Sequence, residues 1–168
     1  MLMNYNGKAP ALGEGVFTAP TASVVGDVRL GDDSSVWFGA TVRGDAASVT
    51  IGARTNIQDN ATIHCSMGQP TVLGDDVSVG HNAVVHSATL EDGVLIGMGA
   101  VVLDGALVGA GSTVGAGAVV TKGTVIPPNS LVLGVPGRVV GTVPPGANQE
   151  NARVYVEKKN DYRKENAQ

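Results

Sequence analysis

Aliphatic residues recur at every sixth position through much of the chain, and this period restricts the fold more than any other feature. From residue 90 onwards, the residue two places before each of these aliphatic positions is small or β-branched. A unit of six residues is too short for a helical repeat, but it fits a short strand followed by a turn. Stacking three such units per coil, with parallel strands, produces a β-solenoid. The unbroken run comprises Leu90, Ile96, Val102, Val108, Val114, Val120, Ile126 and Val132.

The same frame extends upstream with three changes of spacing, which fall after Val42, after Ile63 and after Val85. Insertions in a repeat of this kind belong at corners, where they form outward loops. Eighteen units in all predict an all-β fold of about six coils with three sides, here called A, B and C. The upstream positions are Val24, Leu30, Val36, Val42, Ile51, Ile57, Ile63, Leu73, Val79 and Val85.

The composition agrees with a narrow prism and excludes several classes of protein. Glycine accounts for 24 of 168 residues and aromatic residues for only 4%, while a hydrophobic fraction of 43% excludes a disordered chain. The net charge of −4, without a basic block, argues against a nucleic-acid or anionic-membrane partner. No apolar window is long enough to span a membrane, and the first residues do not resemble a signal peptide. We therefore expect a soluble, cytoplasmic protein.

The period is missing at both ends of the chain. From about Asn148 the sequence is polar and free of glycine and proline, with Tyr155 and Tyr162 seven positions apart. This pattern predicts a C-terminal helix that packs on the prism or on a neighbouring subunit. Trp37 and Phe38 are expected at a subunit interface. The expected organisation is a cap over residues 1–20, a solenoid over residues 21–140, and a linker with a C-terminal helix over residues 141–168.

The frame also assigns positions to the three histidines of the chain. His64 and His86 each follow an aliphatic position of side A, in adjacent coils. Adjacent strands lie about 4.8 Å apart, so these two side chains should be neighbours that point the same way. Arg43 takes the same place one coil earlier. His81 follows side C instead, roughly 15 Å away along the surface.

A metal could use all three histidines only if two subunits share the site. Zinc lies about 2.1 Å from its nitrogen ligands, so His81 cannot join His64 and His86 of its own chain. It could meet them across a contact between side C of one subunit and side A of another, and repeating that contact closes a ring of three. Such a trimer would contain three shared sites. The spacing alone leaves the alternative open that these are surface histidines without a function.

Several motifs occur in a fixed order between about Tyr5 and Tyr162. They are Val42-Arg43-Gly44-Asp45, Asn56-Ile57-Gln58-Asp59, His64, Val79-Gly80-His81 with His86, and Gly97-Met98-Gly99. In this order they resemble the motifs of the γ-class carbonic anhydrase-like proteins. The resemblance implies a left-handed parallel β-helix, a homotrimer, and a lyase that interconverts carbon dioxide and bicarbonate.

The resemblance further implies a metal site and the residues around it. His64 and His86 of one subunit and His81 of its neighbour would bind zinc, or alternatively iron or cobalt. Three neutral imidazoles leave the metal its full charge and one open position. That charge lowers the pKa of bound water to about 7, so that the resulting hydroxide can attack carbon dioxide. The other implied roles are an ion pair of Arg43 with Asp45 beside the metal, a hydrogen bond between Gln58 and the bound hydroxide, and substrate positioning by Asn56.

One departure from the family pattern affects the expected rate. The founding archaeal enzyme has glutamates that carry protons out of the site, whereas Ala46 and Ala47 stand here and the loop of residues 65–70 has no acid. Low activity is therefore expected. The alternatives are an acyl-CoA thioesterase or another hexapeptide-type transferase, and a catalytically weak trimeric scaffold that binds metal.

Overall fold

Twenty short strands and one helix make up residues 1–166, the part of the chain that the structure, a computed structural model, describes. In chain order these are β1 (Leu2–Met3), β2 (Ala11–Leu12), β3 (Phe17–Thr18), β4 (Ser23–Leu30), β5 (Ser35–Val36), β6 (Thr41–Ile51), β7 (Asn56–Ile57), β8 (Thr62–His64), β9 (Thr71–Leu73), β10 (Ser78–Val79), β11 (Val84–His86), β12 (Thr89–Leu90), β13 (Leu95–Ile96), β14 (Val101–Val102), β15 (Leu107–Val108), β16 (Thr113–Val114), β17 (Val119–Val120), β18 (Val125–Ile126), β19 (Ser130–Leu133), β20 (Arg138–Thr142) and α1 (Gln149–Glu165).

The strands wind into stacked three-sided coils that form a left-handed parallel β-helix. Side A contains β8, β11, β14 and β17, side B contains β9, β12, β15 and β18, and side C runs from β3 to β19. The longer strands β4 and β6 turn a corner and belong to both side A and side B. The last strand, β20, pairs antiparallel with β19 and ends the sheet of side C.

The structure has about seven turns, whereas the period in the sequence predicts about six coils. The additional turn comes from the segment without the period, since β1 and β2 pair in parallel with β4 and β3 pairs in parallel with β5. Backbone hydrogen bonding extends the stack here without a regular aliphatic position, because the outermost coil has a neighbour on one side only.

The registers of the paired strands confirm the frame of six. On side A, Val42 pairs with Ile63, and Ile63 pairs with Val85. On side C, Ile57 pairs with Val79. All of these side chains are fully buried, so each aliphatic column forms one wall of a continuous core. Because the coils stack in register, residues one coil apart in the sequence lie next to each other on the same side of the prism.

The corner between sides C and A explains much of the glycine and asparagine content. One residue per coil at this corner has a positive φ, from 58° at Asn60 to 70° at Gly39. Glycine adopts this left-handed conformation at no steric cost, and asparagine tolerates it better than most residues. At Gly39 a side chain would also collide with Asn60 of the next coil. The remaining members of this column are Asn82, Gly99 and Gly117.

The predicted C-terminal helix is present and lies along side C. At its beginning, the Asn148 amide donates hydrogen bonds to carbonyls at Gly93, Gly111 and Ser112. Towards its end, the fully buried Lys159 ammonium donates to Asp33 Oδ1 at 2.8 Å, next to the first coil. The helix therefore spans the prism nearly from end to end. No helix within residues 1–166 is long and apolar enough to cross a membrane.

An aromatic cluster fills the space between the helix and side C. The rings of Tyr155 and Tyr162 lie 5.2 and 5.3 Å from that of Trp37, with Phe17 on the same cluster. The side chain of Trp37 is consequently buried beneath its own chain's helix. The expectation that Trp37 lies at a subunit interface is wrong, because tyrosines of the same chain cover it.

We expect a valine-to-alanine substitution to reduce stability much more at an inward position of side B than at an outward position of the same side. Val108 is fully buried on side B, whereas Val125, on the next coil, points outward and is 66% exposed. Val108→Ala should lower the free energy of unfolding by about 2 kcal/mol through lost burial and a cavity. Val125→Ala should change it by no more than about 0.5 kcal/mol. Urea unfolding at equal protein concentration measures both, and equal effects would contradict the inward and outward assignment.

Candidate metal centre

Two histidines meet on side A, where two neighbouring strands end. His64 is the last residue of β8 and His86 the last residue of β11, and the two are direct register partners. Nδ1 of His64 lies 3.1 Å from Nε2 of His86. Two nitrogens bound to one tetrahedral zinc lie about 3.4 Å apart, given bonds of about 2.1 Å. The predicted adjacency is confirmed, and the separation suits a common metal.

His81 lies on a different side of the prism. It follows β10, which pairs with β7 and β13 in the sheet of side C. Within residues 1–166 no group of three histidine, cysteine or acidic side chains of one chain is arranged to hold a metal. The strand pairing places His81 on side C and the other two histidines on side A, which is the separation that the frame predicts.

His64 and His86 are each hydrogen-bonded through one ring nitrogen to an aspartate of a neighbouring coil, and His81 lies within ion-pair distance of an aspartate of a neighbouring coil. Since an ionised carboxylate only accepts, that nitrogen carries the proton, and in the neutral imidazole the other nitrogen presents a lone pair. In metal sites the same arrangement orients the imidazole and raises its basicity. The pairs are His64 Nε2 with Asp45 Oδ1 at 3.0 Å, His81 Nδ1 with Asp59 Oδ2 at 2.7 Å, and His86 Nδ1 with Asp104 Oδ1.

The nitrogens left unprotonated by these contacts fit a cation. Nδ1 of His64 and Nε2 of His86 face each other, and two lone pairs at this distance repel unless a positive charge lies between them. Imidazole nitrogens are preferred ligands of zinc, iron and related metals. The donor set therefore supports a shared metal at this position.

Asp45 connects His64 to Arg43 within β6. Its Oδ1 bonds to His64 and its Oδ2 forms an ion pair with the Arg43 guanidinium. Burial raises the pKa of the Asp45 carboxyl, but the hydrogen bonds from His64 and Arg43 outweigh it and hold that pKa below its ordinary value. The structure thus brings Arg43 and Asp45 together beside one predicted ligand, with the arginine side chain 43% exposed.

Gln58 and Asn56 lie on side C, at the end of β7. Asn56 is fully buried, and its Oδ1 accepts a hydrogen bond of 3.0 Å from Nε2 of Gln58. Gln58 lines an open cavity together with His81, Met98 and Tyr155. One amide hydrogen of Gln58 is donated to Asn56, which fixes the amide plane, and the Gln58 oxygen can accept a hydrogen bond in that cavity. Asn56 reaches the cavity only through Gln58.

Sequence reasoning missed the aspartate partners of His81 and His86. In the sequence, Asp59 stands out only as the last residue of the motif that begins at Asn56, and Asp104 belongs to none of the motifs. Asp104 lies 18 residues after His86, one residue more than the coil that separates the register partners Val85 and Val102, so the frame contained a signal for their proximity. The contact itself depends on side-chain rotamers, which the period does not specify.

Asp75 and Asp76, the acidic residues that follow the loop of residues 65–70 in the sequence, form contacts away from the histidines. The Arg54 guanidinium contacts Asp76 at 2.7 Å, and Ala53 N donates to Asp75 Oδ1 at 2.8 Å. The segment after His64 forms a small turn closed by a bridge between Ser66 and Gln69, with no acid in it. The turn that follows the first histidine therefore supplies no carboxylate.

Comparisons with known proteins agree with the fold and the motifs. Residues 87–122 match the family of bacterial transferase hexapeptide repeats (six repeats). A Methanocaldococcus jannaschii protein named "Probable carbonic anhydrase" is 62% identical over 129 residues, 77% of this chain and 81% of the relative. A Geobacillus kaustophilus protein named "Carbonic anhydrase" is 44% identical over 166 residues, 97% of this chain and 91% of the relative. A Bacillus cereus crystal structure, provisionally described as an acetyltransferase, superposes with a TM-score of 0.94 at 39% identity and covers 98% of this chain and 97% of that chain.

The adjacency of the two side-A histidines can be tested by cross-linking. Register partners on parallel strands have Cα atoms about 4.8 Å apart, within the range that a disulfide spans. In a Cys65→Ala background treated with chelator, His64→Cys with His86→Cys should form a disulfide within one chain on mild oxidation. Peptide mass mapping identifies the bond. The matched control, His81→Cys with His86→Cys, should form none within a chain, and the reverse pattern would contradict the assignment of sides.

Proposed function

The chain belongs to the γ-class family of carbonic anhydrase-like hexapeptide proteins, and on this premise we propose that it interconverts carbon dioxide and bicarbonate at a metal site. The observation that carries the proposal is the state of the three histidines. Each has one ring nitrogen against an aspartate oxygen, and the other ring nitrogens of His64 and His86 lie 3.1 Å apart. A set of surface histidines without a function would not need this arrangement.

The proposed site is shared between subunits of a homotrimer. His64 and His86 hold the metal from side A, and His81 of the partner subunit completes the set from side C. Three-fold repetition of one contact between these sides closes the ring and uses every histidine once. The metal is zinc, with iron or cobalt as alternatives, since imidazole nitrogens suit all three. The cytoplasmic location stays a prediction from the sequence.

The residues around the site have distinct parts in the proposed reaction. When bound, the metal lowers the pKa of water to about 7 and so supplies the nucleophile at neutral pH. Gln58 of the partner subunit would orient a water or substrate at the site through its amide oxygen, since the hydrogen bond from its amide nitrogen to Asn56 fixes the amide plane. Arg43 stabilises the negative charge of bicarbonate, and Asp45 keeps the guanidinium in place.

The first test compares the wild type with His81→Ala. The wild type should bind one metal per chain as a trimer and hydrate carbon dioxide, whereas His81→Ala should lose metal and activity together. Metal analysis, native mass spectrometry and stopped-flow hydration measure these properties. A wild type that binds metal but hydrates no faster than the variant would instead support a metal-binding scaffold. Turnover of acyl-CoA in place of carbon dioxide would support the thioesterase.

Mixing variants tests the sharing itself. In a trimer of His81→Ala and His64→Ala chains, one site combines the intact side A of the first with the intact side C of the second. Random mixing of equal amounts should therefore restore about a quarter of the wild-type sites and activity. The control mixture of His64→Ala with His86→Ala should restore none, because both changes damage the same half of the site. Equal recovery in the two mixtures would rule out a shared site.

We also expect proton transfer to limit the rate. Ala46 and Ala47, next to Asp45, offer no titratable group, and neither does the turn after His64. A small external base such as imidazole should raise the turnover number several-fold, while kcat/KM for carbon dioxide stays unchanged. Stopped-flow assays over a range of buffer concentrations separate these terms. A turnover number independent of buffer would show that the chain has an internal proton path.

A further inference from the structure

Asp104 occupies the corner directly next to His86, one coil further along the prism. It follows β14, whose Val102 is the register partner of Val85. The backbone of this corner is tied to the histidine coil by a hydrogen bond of 2.7 Å from Gly105 N to Ser87 O. The corner is therefore positioned by backbone contacts, and the Asp104 carboxylate is not needed to hold it.

Both carboxylate oxygens of Asp104 have partners around the candidate site. Oδ1 bonds to Nδ1 of His86, and Oδ2 accepts a bond of 3.2 Å from the Ser66 hydroxyl. Ser66 is itself held by a bond from its backbone nitrogen to the Ser87 hydroxyl. With both oxygens engaged and its side chain only 25% exposed, the carboxylate has one orientation relative to the imidazole.

The charge of Asp104 determines which nitrogen of His86 carries the proton. The Asp104 carboxylate contacts Nδ1 of His86 directly through its Oδ1. An ionised carboxylate accepts but does not donate, so Nδ1 of His86 must be the protonated nitrogen. Nε2 is then the free nitrogen, and it is the atom that faces His64.

We propose that Asp104 is a positioning residue that holds His86 in the Nδ1-protonated tautomer and aims its Nε2 at the position shared with His64. The inference builds on the proposed metal site, but its central claim concerns the metal-free histidine. Asp104 differs from Asp45, which also neutralises Arg43, because within residues 1–166 its carboxylate forms hydrogen bonds with His86 and Ser66 and no ion pair with an arginine. Removing it should alter the ligand and leave the substrate-binding arginine in place.

The experiment uses the full-length chain with Asp104→Asn, which keeps the size of the side chain but removes its charge. An amide can donate as well as accept, so it no longer imposes one tautomer. The affinity for Zn²⁺, measured by competition with a chromophoric chelator, should fall on the order of 10- to 100-fold. The visible spectrum of the Co²⁺-loaded protein should change as well, because one ligand is less well oriented.

The matched control is Asp92→Asn. Asp92 is also a corner aspartate that accepts a hydrogen bond from a neighbouring coil, but its donor is a backbone nitrogen, that of Asp75 at 2.8 Å, and not a histidine. It should leave the Zn²⁺ affinity and the Co²⁺ spectrum as in the wild type. Equal losses in Asp92→Asn and Asp104→Asn would show a general effect on the coils and overturn the proposal.

A measurement without metal separates this inference from the proposed function. In chelator-treated trimer labelled with ¹⁵N-histidine, ring nitrogen shifts at alkaline pH should show His86 as the Nδ1-protonated tautomer in the wild type and a mixture in Asp104→Asn. An unchanged tautomer in the variant would overturn the positioning role even if the wild type binds metal. A wild type that binds no metal but shows the expected tautomers would overturn the proposed function alone.

Ser66→Ala provides a second variant should Asp104→Asn fail to fold. It removes one bond to the carboxylate and leaves the charge, so the Zn²⁺ affinity should fall by a smaller factor in the same direction. Circular dichroism and native mass establish that each variant is a folded trimer of the same size as the wild type. A folded Ser66→Ala with wild-type affinity and wild-type His86 line shape would count against an oriented carboxylate.

Discussion

The hydrogen-bonded ladder between successive coils is the interaction on which everything else in this protein depends. It stacks one coil on the next at the spacing of adjacent strands, about 4.8 Å, and it leaves little freedom to shift, since a slip of one residue would move every core side chain to the outside. The aliphatic columns on the three sides satisfy that constraint, because they keep an apolar side chain at the repeated inward position. Valine and isoleucine fill the narrow interior, and the corners take glycine or asparagine because the backbone there is left-handed.

The ladder also explains how a regular stack of coils can assemble a centre of defined chemistry. Two histidines one coil apart are placed side by side by the backbone alone, as His64 and His86 are. Aspartates on neighbouring coils then reach each ring from the adjacent corner, which sets the free nitrogen without any contribution from a mobile loop. The same rigidity keeps His81 away on another side of the prism. A centre that needs all three histidines therefore needs a second subunit, so that the chemistry of such a centre depends on assembly.

The helix adds a different kind of contact to this regular frame. It packs against side C through aromatic rings and a buried lysine, and its Tyr155 lines the cavity that Gln58 and His81 also line. Residues more than a hundred positions apart in sequence, such as Lys159 and Asp33, meet only because the chain turns back along the prism. Such contacts have no period, and they give the cavity beside His81 its outer wall.

The amino-acid sequence alone determined the repeat, the side to which each coil position belongs, the adjacency of His64 and His86 and the separation of His81, since each follows from counting along a stack of constant spacing. It did not reveal the turn formed by residues before Pro20, the burial of Trp37 under its own helix, or the contact of Asp104 with His86. These were decided by the tertiary structure, because strand pairing at the end of the stack, helix docking and side-chain rotamers depend on packing between distant segments, and no local period encodes them.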